Sequence, residues 1–393
     1  MTLSIRPRRP APSLPSRRRA LRGLAAGAVA LALPPLARAQ GTPAGKGEIR
    51  IGRSTALSGP LAPFLAPIHE GQEAALADLN ERGGVAGRKV RLVTLDDGFN
   101  PQRTLANARS LIESEGVVAL FGQAGTSQVL TLLPYLAQAR VPLVSVYTGS
   151  PAVRAAGSPW LFTTSVSYAD ELTKIVRNLV AVQSTRIGVA FENNDFGKLA
   201  LPLVEQAAAA EGATLVGSQP MDSGGSDAAA AARALHALKP QAVIMVAAGP
   251  SVVAYVRAHR AQMGVPVYTL SLGAGEQVIK ALGDDARGLA VARATPSPLR
   301  TSLAVTREFQ ASMKRRGLEP SYDRYVGYLD MRVLAEGLRA AGPGVTGPSL
   351  VQAMEGLGRL DLGGHAYQFS AQNHHGSSFV DIAVIGPGGQ YLR

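Results

Sequence analysis

The sequence predicts an α/β fold: two doubly wound α/β lobes joined by extended hinge crossings. Three observations predict it. Short β-branched runs alternate with amphipathic stretches, the pattern of a parallel sheet covered by helices on both faces. The alternation runs twice, and between the two series Thr163, Thr164, Ser165 and Ser167 form a polar extended segment suited to an interdomain crossing. The chain has 393 residues, enough for two ordinary domains, and 46% apolar against 17% charged residues supplies a core for each.

The first series opens with a strand at Ile49-Arg50-Ile51-Gly52 and a loop at Leu57-Ser58-Gly59-Pro60. An amphipathic helix is predicted over residues 68–80, with Ala74, Ala75 and Leu76 on or near its buried side. A glycine-rich turn at 82–87 returns the chain to a strand at 90–95, and a helix at 101–114 follows. The unit around which the chain is organised comes next. Residues 117–121 read as a buried strand, Gly122 to Ser127 as a turn, and residues 128–139 as a helix with Thr126 or Ser127 available as N-cap. Residues 141–146 form a second strand with Pro142 at its start, and it ends in the small polar loop Tyr147-Thr148-Gly149-Ser150. Strand, helix and strand in about thirty residues make a right-handed βαβ unit. Both polar loops then lie at the carboxyl edge of one parallel sheet, where open α/β sheets place ligands.

The second series reads as a helix at 170–181, a strand at 186–191, a polar loop at 192–198 and a helix at 199–211. A short strand at 214–218, an alanine-rich helix at 226–238, a strand at 242–247, a helix at 251–263 and a strand at 267–270 complete it. Thr295-Pro296-Ser297-Pro298 is a natural second crossing. Helices at 304–316, 322–340 and 350–354 and a terminal strand at 379–385 close the chain. The expected lobes are residues 48–165 with 297–376 and residues 166–296 with 377–393.

The net charge of +12 suggests nucleic acid, but its distribution excludes that reading. Residues 1–39 hold eight arginines and no acid, and taking those eight charges away leaves +4. The stretch has the form of an export leader. Arg17-Arg18-Arg19 precedes an apolar run at 24–33 that is too short for a bilayer, and Ala37-Arg38-Ala39 is an A-x-A cleavage site. The twin arginines resemble a Tat signal, although Ala20 stands where a bulkier residue is usual, so Sec export stays open. A periplasmic location with cleavage near Ala39 follows, and residues 40–47 read as a flexible lead-in. The chain has no Cys, which excludes disulfides, thiolate metal sites and Cys nucleophiles.

Taken together, the residues carry a resemblance. Ala56-Leu57-Ser58-Gly59-Pro60, Gly71-Gln72-Glu73-Ala74-Ala75, Asn80 to Arg88, Leu95-Asp96-Asp97-Gly98, the central unit, Asn194-Asp195-Phe196-Gly197 and Tyr328 to Leu338 stand in one order and spacing. In these the chain resembles the periplasmic solute-binding proteins of ABC importers, in the branch similar to leucine/isoleucine/valine-binding proteins with the type I periplasmic-binding fold. The resemblance covers nearly all of the chain after Glu48. It implies that Phe64 forms an aromatic wall. It also implies that Ala124, Gly125 and Thr126, with Thr148, Gly149 and Ser150, offer backbone N–H groups and hydroxyls to a carboxylate. Small side chains let the main chain approach an anion, which fits that role. Phe196 stands where many relatives carry a ring that closes on the ligand, often Tyr. Leu272 stands near where amino-acid binders carry a Glu for the ligand ammonium, and the nearest acid is Glu276. Tyr325 is a candidate for the hinge side of the cleft, with a core position as the alternative reading.

Other motifs take ordinary readings. Gly342 to Gly347 spells GxGxxG but follows a helix and contains Pro343, His69-Glu70 lacks a second histidine, and His374-His375 reads as a surface loop. Asp96-Asp97 reads as the cap of a strand-end turn. No catalytic order stands out, so no enzyme, cofactor or metal is expected. The expected partners are a small-molecule ligand, amino acid or organic acid, and an ABC permease in the inner membrane, with no nucleic acid and a monomeric state. A periplasmic sensor for a separate signalling protein is the other class left open. The leader generates the first prediction. Intact-mass measurement of exported protein will show a chain beginning near Gln40, and retention of residues 1–39 would refute the leader.

Overall fold

The computed structural model describes residues 47–262 and 264–392; the predicted leader and the lead-in as far as residue 46 lie outside them. The first series comprises β1 (Ile49–Thr55), α1 (Ala62–Glu81), β2 (Val90–Asp96), α2 (Pro101–Arg109), β3 (Leu120–Ala124), α3 (Thr126–Ala139), β4 (Leu143–Tyr147), α4 (Pro151–Ala155) and β5 (Leu161–Phe162). The second comprises α5 (Tyr168–Ala181), β6 (Arg186–Glu192), α6 (Asp195–Glu211), β7 (Thr214–Met221), α7 (Ala228–Ala237), β8 (Ala242–Val246), α8 (Pro250–Arg260), β9 (Val267–Thr269), α9 (Glu276–Leu282) and β10 (Ala290–Arg293). The chain then adds α10 (Ala304–Arg315), α11 (Tyr322–Ala341), α12 (Gly347–Gly356), β11 (Arg359–Asp361), β12 (Ala366–Gln368), β13 (Asp381–Ile385) and β14 (Tyr391–Leu392).

The doubly wound expectation holds twice over. The first sheet is parallel in the order β2-β1-β3-β4-β5. The second runs β14-β13-β10-β9-β8-β6-β7. Its parallel part, β7-β6-β8-β9-β10, repeats the order of the first sheet strand for strand, with β13 and β14 added antiparallel at one edge. Each sheet therefore has one topological switch point, between β1 and β3 and between β6 and β8. Ligands of open α/β sheets bind outside the carboxyl ends at such points.

Each sheet is buried on both faces, as purely parallel strands require. One face of the first sheet packs Ile49, Ile51, Phe121, Val144 and Phe162 against Phe309 of α10 and Tyr325, Tyr328 and Leu334 of α11. The other face packs Leu120, Leu143 and Val146 against Leu132 and Leu136 of α3. In the second sheet, Val243, Met245 and Val291 face the helices α7 to α9, and Ile187, Val189 and Ile244 face α5 and α6. Helices α1 and α11 cross almost backbone to backbone. A Cβ on Gly71 would lie 1.9 Å from the Arg324 carbonyl oxygen, and one on Gly327 would lie 2.0 Å from that of Ile68. No other residue fits either place.

Three extended segments link the two sheets, after β5, after β10 and before β13, and we place the lobe boundaries at them. The first and third pair with each other: Thr163 N–H donates to the His374 carbonyl at 2.9 Å and Gly376 N–H to that of Thr163 at 2.8 Å. The Asp330 carboxylate of α11 accepts from the Thr164 hydroxyl at 2.6 Å. Some elements depart from the sequence reading. Helix α1 begins at Ala62 because Pro63 suits the first turn, where its missing N–H costs nothing. Strand β3 begins at Leu120 because the Val117 N–H is taken by the Leu111 carbonyl at the end of a π turn. Helix α9, strands β10 and β14 and the β11–β12 hairpin were not predicted; each is too short to show a period.

Asp330 generates the next prediction. It is buried, and burial pushes its carboxyl up to about 7, against the pull of the Thr164 hydroxyl. A folded value above the unfolded one means that this group stabilises most when protonated. Its contribution is full below about pH 4 and is lost as pH rises toward 7. Asn keeps an oxygen for Thr164 but has no proton to lose. Asp330→Asn should therefore gain stability relative to the parent progressively from pH 4 to 7, read from denaturant curves across that range.

Candidate functional site

The carboxyl ends of the two sheets face each other across a cavity of about 560 Å³, a volume suited to a small solute. From the first lobe it is lined by the loop after β1 (Ser58, Pro60, Leu61), the start of α1 (Phe64, Leu65) and the turn after β2 (Gly98, Phe99). The end of β3 with the start of α3 (Ala124 to Gln128), Tyr147, and Asp323 of α11 complete that side. The second lobe contributes Tyr168, Glu192, Asn194, Asp195, Phe196, Ser223, Gly249, Leu272, Gln277 and Val278 among others. Six of the predicted site residues meet here: Phe64, Ala124, Gly125, Thr126, Phe196 and Leu272.

Gly125 shapes the first-lobe wall. Its φ of +93° turns the chain from β3 straight into α3, so that Gly125 itself is the N-cap and Thr126 the first helical residue. Neither Thr126 nor Ser127 caps the helix, which corrects the expectation. A Cβ at Gly125 would lie 2.1 Å from the Gln128 side-chain oxygen and 2.9 Å from the Phe99 ring. The Gln128 amide donates to the Phe99 carbonyl at 2.8 Å and holds that ring over the cavity. The first N–H groups of α3 have no intrahelical acceptor and carry the positive end of the helix dipole. The loop after β1 is fixed by Asp96, which accepts from Leu57 N–H, Ser58 N–H and the Ser58 hydroxyl. The Ser58 hydroxyl and these N–H groups hold its carboxyl far below the usual range. The strand-end reading of Asp96-Asp97 is the geometry found.

The second predicted loop lies behind the first instead of on the cavity. Thr148 Oγ1 sits 3.1 Å from Thr126 Oγ1 and accepts from the Tyr168 hydroxyl and Ser150 N–H, so it steadies Thr126. Gly149 packs under Tyr168, where a Cβ would lie 2.7 Å from the ring. The Ser150 hydroxyl is buried with no partner among the described residues. Tyr325 is a correction. It is wholly buried in the first-lobe core, tilted against Phe309, with its hydroxyl 2.8 Å from that of Thr306. The α1–α11 crossing turns that side of α11 inward, so Tyr325 has no path to the cleft.

The second-lobe rim is organised by Glu192, at the end of β6 and 4% exposed. Its two oxygens accept from Ala248 N–H, Ser251 hydroxyl, Asn194 amide and Ser223 hydroxyl, at 3.0, 2.6, 2.6 and 3.3 Å. One carboxylate thus ties the loops after β6, β7 and β8 together. Phe196 meets Tyr168 edge to face at 5.3 Å between centroids. Leu272 is presented by a 3-10 turn whose first residue, Ser271, is held through its N–H and hydroxyl by Glu171. Glu276 does not reach the ligand space, because Arg324 takes its carboxylate and also that of Glu70. Glu192, Asp195 and Asp323 all line the cavity, and among the described residues no Arg, Lys or His does. Tyr168, Phe99 and Asp323 were not singled out in the sequence, and Tyr147 was named only as the first residue of the second polar loop. A tyrosine ending a strand and an aspartate in the first turn of a distant helix carry no local signal.

The lobes touch on both sides of the cavity. The Ser127 hydroxyl donates to Asp195 at 2.7 Å, and Asp323 accepts from Glu276 N–H at 2.7 Å. Two switch-point loops facing one cavity, with hydrogen bonds across it, define a two-lobed ligand-binding protein of the α/β class. The chain belongs to the periplasmic binding protein family, whose model matches residues 48–390. It is similar to the Leu/Ile/Val-binding protein of Escherichia coli, at 24% identity over 178 residues, 45% of this chain and 46% of that one. The chain thus spans about half the length of the curated relatives it matches. An extracellular ligand-binding receptor from Verminephrobacter eiseniae is 28% identical with a TM-score of 0.83, over 88% of this chain and 100% of that one. A solute-binding protein of an ABC transporter from R. palustris, solved with benzoate, shares the fold at 19% identity and a TM-score of 0.78, over 88% and 95%. Among the described residues no helix is long and apolar enough to cross a membrane, and no group of three His, Asp or Glu is placed to hold a metal.

The Glu192 hub generates a prediction. Glu192→Ala removes a buried carboxylate that four donors share. It should destabilise the protein by about 3 kcal/mol or more, seen as a lower urea midpoint with an unchanged slope.

Proposed function

We propose that the protein is the solute-capture component of an ABC importer. It takes up a small carboxylate-bearing solute of the branched-chain amino acid type by closing two lobes around it, and it presents the closed form to a permease in the inner membrane. The observation that carries the reading is the cavity itself, where the open N-terminus of α3 stands beside a wall of Phe64, Phe99, Tyr147, Tyr168 and Phe196. Helix N–H groups suit a carboxylate, and the rings suit an apolar or aromatic body. The ligands named for the Escherichia coli and R. palustris proteins, Leu/Ile/Val and benzoate, are small carboxylates of that build. The three extended crossings support closure by rigid rotation of one lobe against the other. Binding without chemistry suits a site in which Glu192 is wholly taken up as an acceptor of four hydrogen bonds.

A thermal-shift screen across amino acids, their deaminated analogues and aromatic acids tests the reading. A ligand at about 100 times its dissociation constant should add about 2.7 kcal/mol of stability and shrink the radius of gyration in solution scattering. Thr126→Ala should weaken that ligand by about 1–3 kcal/mol. Melting shifts from a class without a carboxylate, or tight binding without compaction, would overturn it.

A further inference from the structure

We infer that the floor of the cleft is an amine-recognition subsite made by Asp323 and the Tyr147 hydroxyl, so that these two residues select amine-bearing ligands over their deaminated counterparts. The inference rests on the reading that a ligand carboxylate sits at the start of α3, and it adds the group that must stand at the other polar end.

Three carboxylates line the cavity without a cationic side chain. Glu192 is occupied, accepting four hydrogen bonds from its own lobe, and Asp195 is exposed, accepting from Ser127 across the cleft through one oxygen. Asp323 differs. It is 4% exposed, its Oδ2 accepts from Glu276 N–H, and among the described residues nothing donates to its Oδ1. The carboxylate lies flat on Gly275, where a Cβ would come within 2.5 Å of Oδ2 and 3.1 Å of Oδ1, so it is held in one place. Tyr147 lines the same cavity, and its hydroxyl has no hydrogen-bond partner among the described residues. A buried acceptor and a hydroxyl, both left without partners on one cavity, call for a ligand that can meet both.

The neighbouring cations do not supply it. Arg293 is buried between the rings of Tyr322 and Tyr391, 4.3 and 4.2 Å from their centroids, and donates to the Ala274 carbonyl. Arg324 is engaged by Glu70 and Glu276. Burial raises the Asp323 carboxyl above its ordinary range, against the pull of the Glu276 N–H and of Arg293; an ammonium at Oδ1 would restore the charged form. The register places this subsite correctly. Tyr147 pairs with Ala124 on the neighbouring strand, so it stands one strand spacing, about 5 Å, from the loop that begins α3. A single small ligand can therefore reach both ends. The amine partner comes from α11, not from the loop around Leu272.

Calorimetry on matched pairs tests this, with L-leucine against 4-methylpentanoate and L-phenylalanine against 3-phenylpropanoate, on the parent chain, Asp323→Asn and Tyr147→Phe. In the parent, the amine-bearing member of at least one pair should bind about tenfold or more tighter. Asp323→Asn keeps an oxygen for Glu276 N–H and should erase most of that preference while changing the deaminated acid by less than about threefold. Tyr147→Phe should narrow the preference in the same direction, and it carries the test if the Asn variant fails to melt cooperatively. Deaminated acids binding as tightly as the amines, or a preference untouched by both substitutions, overturn the subsite and leave the carboxylate reading standing. If no member of either pair binds, the carboxylate reading fails and the subsite falls with it.

Discussion

Parallel strands can be joined only by crossovers, and right-handed crossovers send every strand-to-helix loop out at the same edge of the sheet. The rest of this structure depends on that constraint. It gathers the loops after β1, β2 and β3 on one lobe and those after β6, β7, β8 and β9 on the other, and it aims helix N-termini where the strands end. Because both sheets share one strand order, two switch points are available, and three crossings bring them face to face. The ligand space is what remains between them.

Holding that space in shape falls to a few carboxylates, each with a local task. Asp96 fixes the loop that presents Ser58, Glu192 ties three loops of the second lobe, and Glu171 seats the turn that carries Leu272. These acids are stabilised mainly by N–H and hydroxyl donors instead of full counter-charges, which suits walls that must present neutral surface to a ligand. Full ion pairs near the cleft occur between Arg103 and Asp96 and at the start of α11. There Arg324 of α11 links Glu70 of α1 to Glu276 of α9 and so spans the two lobes.

The start of α11 is accordingly busier than its sequence suggests. Ser321 caps the helix, Asp323 reaches the N-terminus of α9, Arg324 bridges two acids, and Tyr325 turns inward to the core. Four neighbouring residues have four environments because the helix surface rotates about 100° per residue and here lies between two lobes.

The sequence by itself determined the fold class, the two series, the crossings at Thr163–Ser167 and Thr295 to Pro298, and the first-lobe loop at Ala124 to Thr126. Each of those rests on period, length or turn chemistry within about thirty residues. It also named Phe64, Phe196 and Leu272, through the motifs around them. Tertiary structure alone decided the rest. It moved Thr148, Gly149 and Ser150 behind the wall, because Gly125 rather than a hydroxyl caps α3 and draws Thr126 onto Thr148. It buried Tyr325, and it put Tyr147 and Asp323 on one cavity from positions 176 residues apart. Helical period could mark one face of α11 as apolar, but which of its polar residues meets the cleft depends on where the other lobe stands, and no local pattern encodes that.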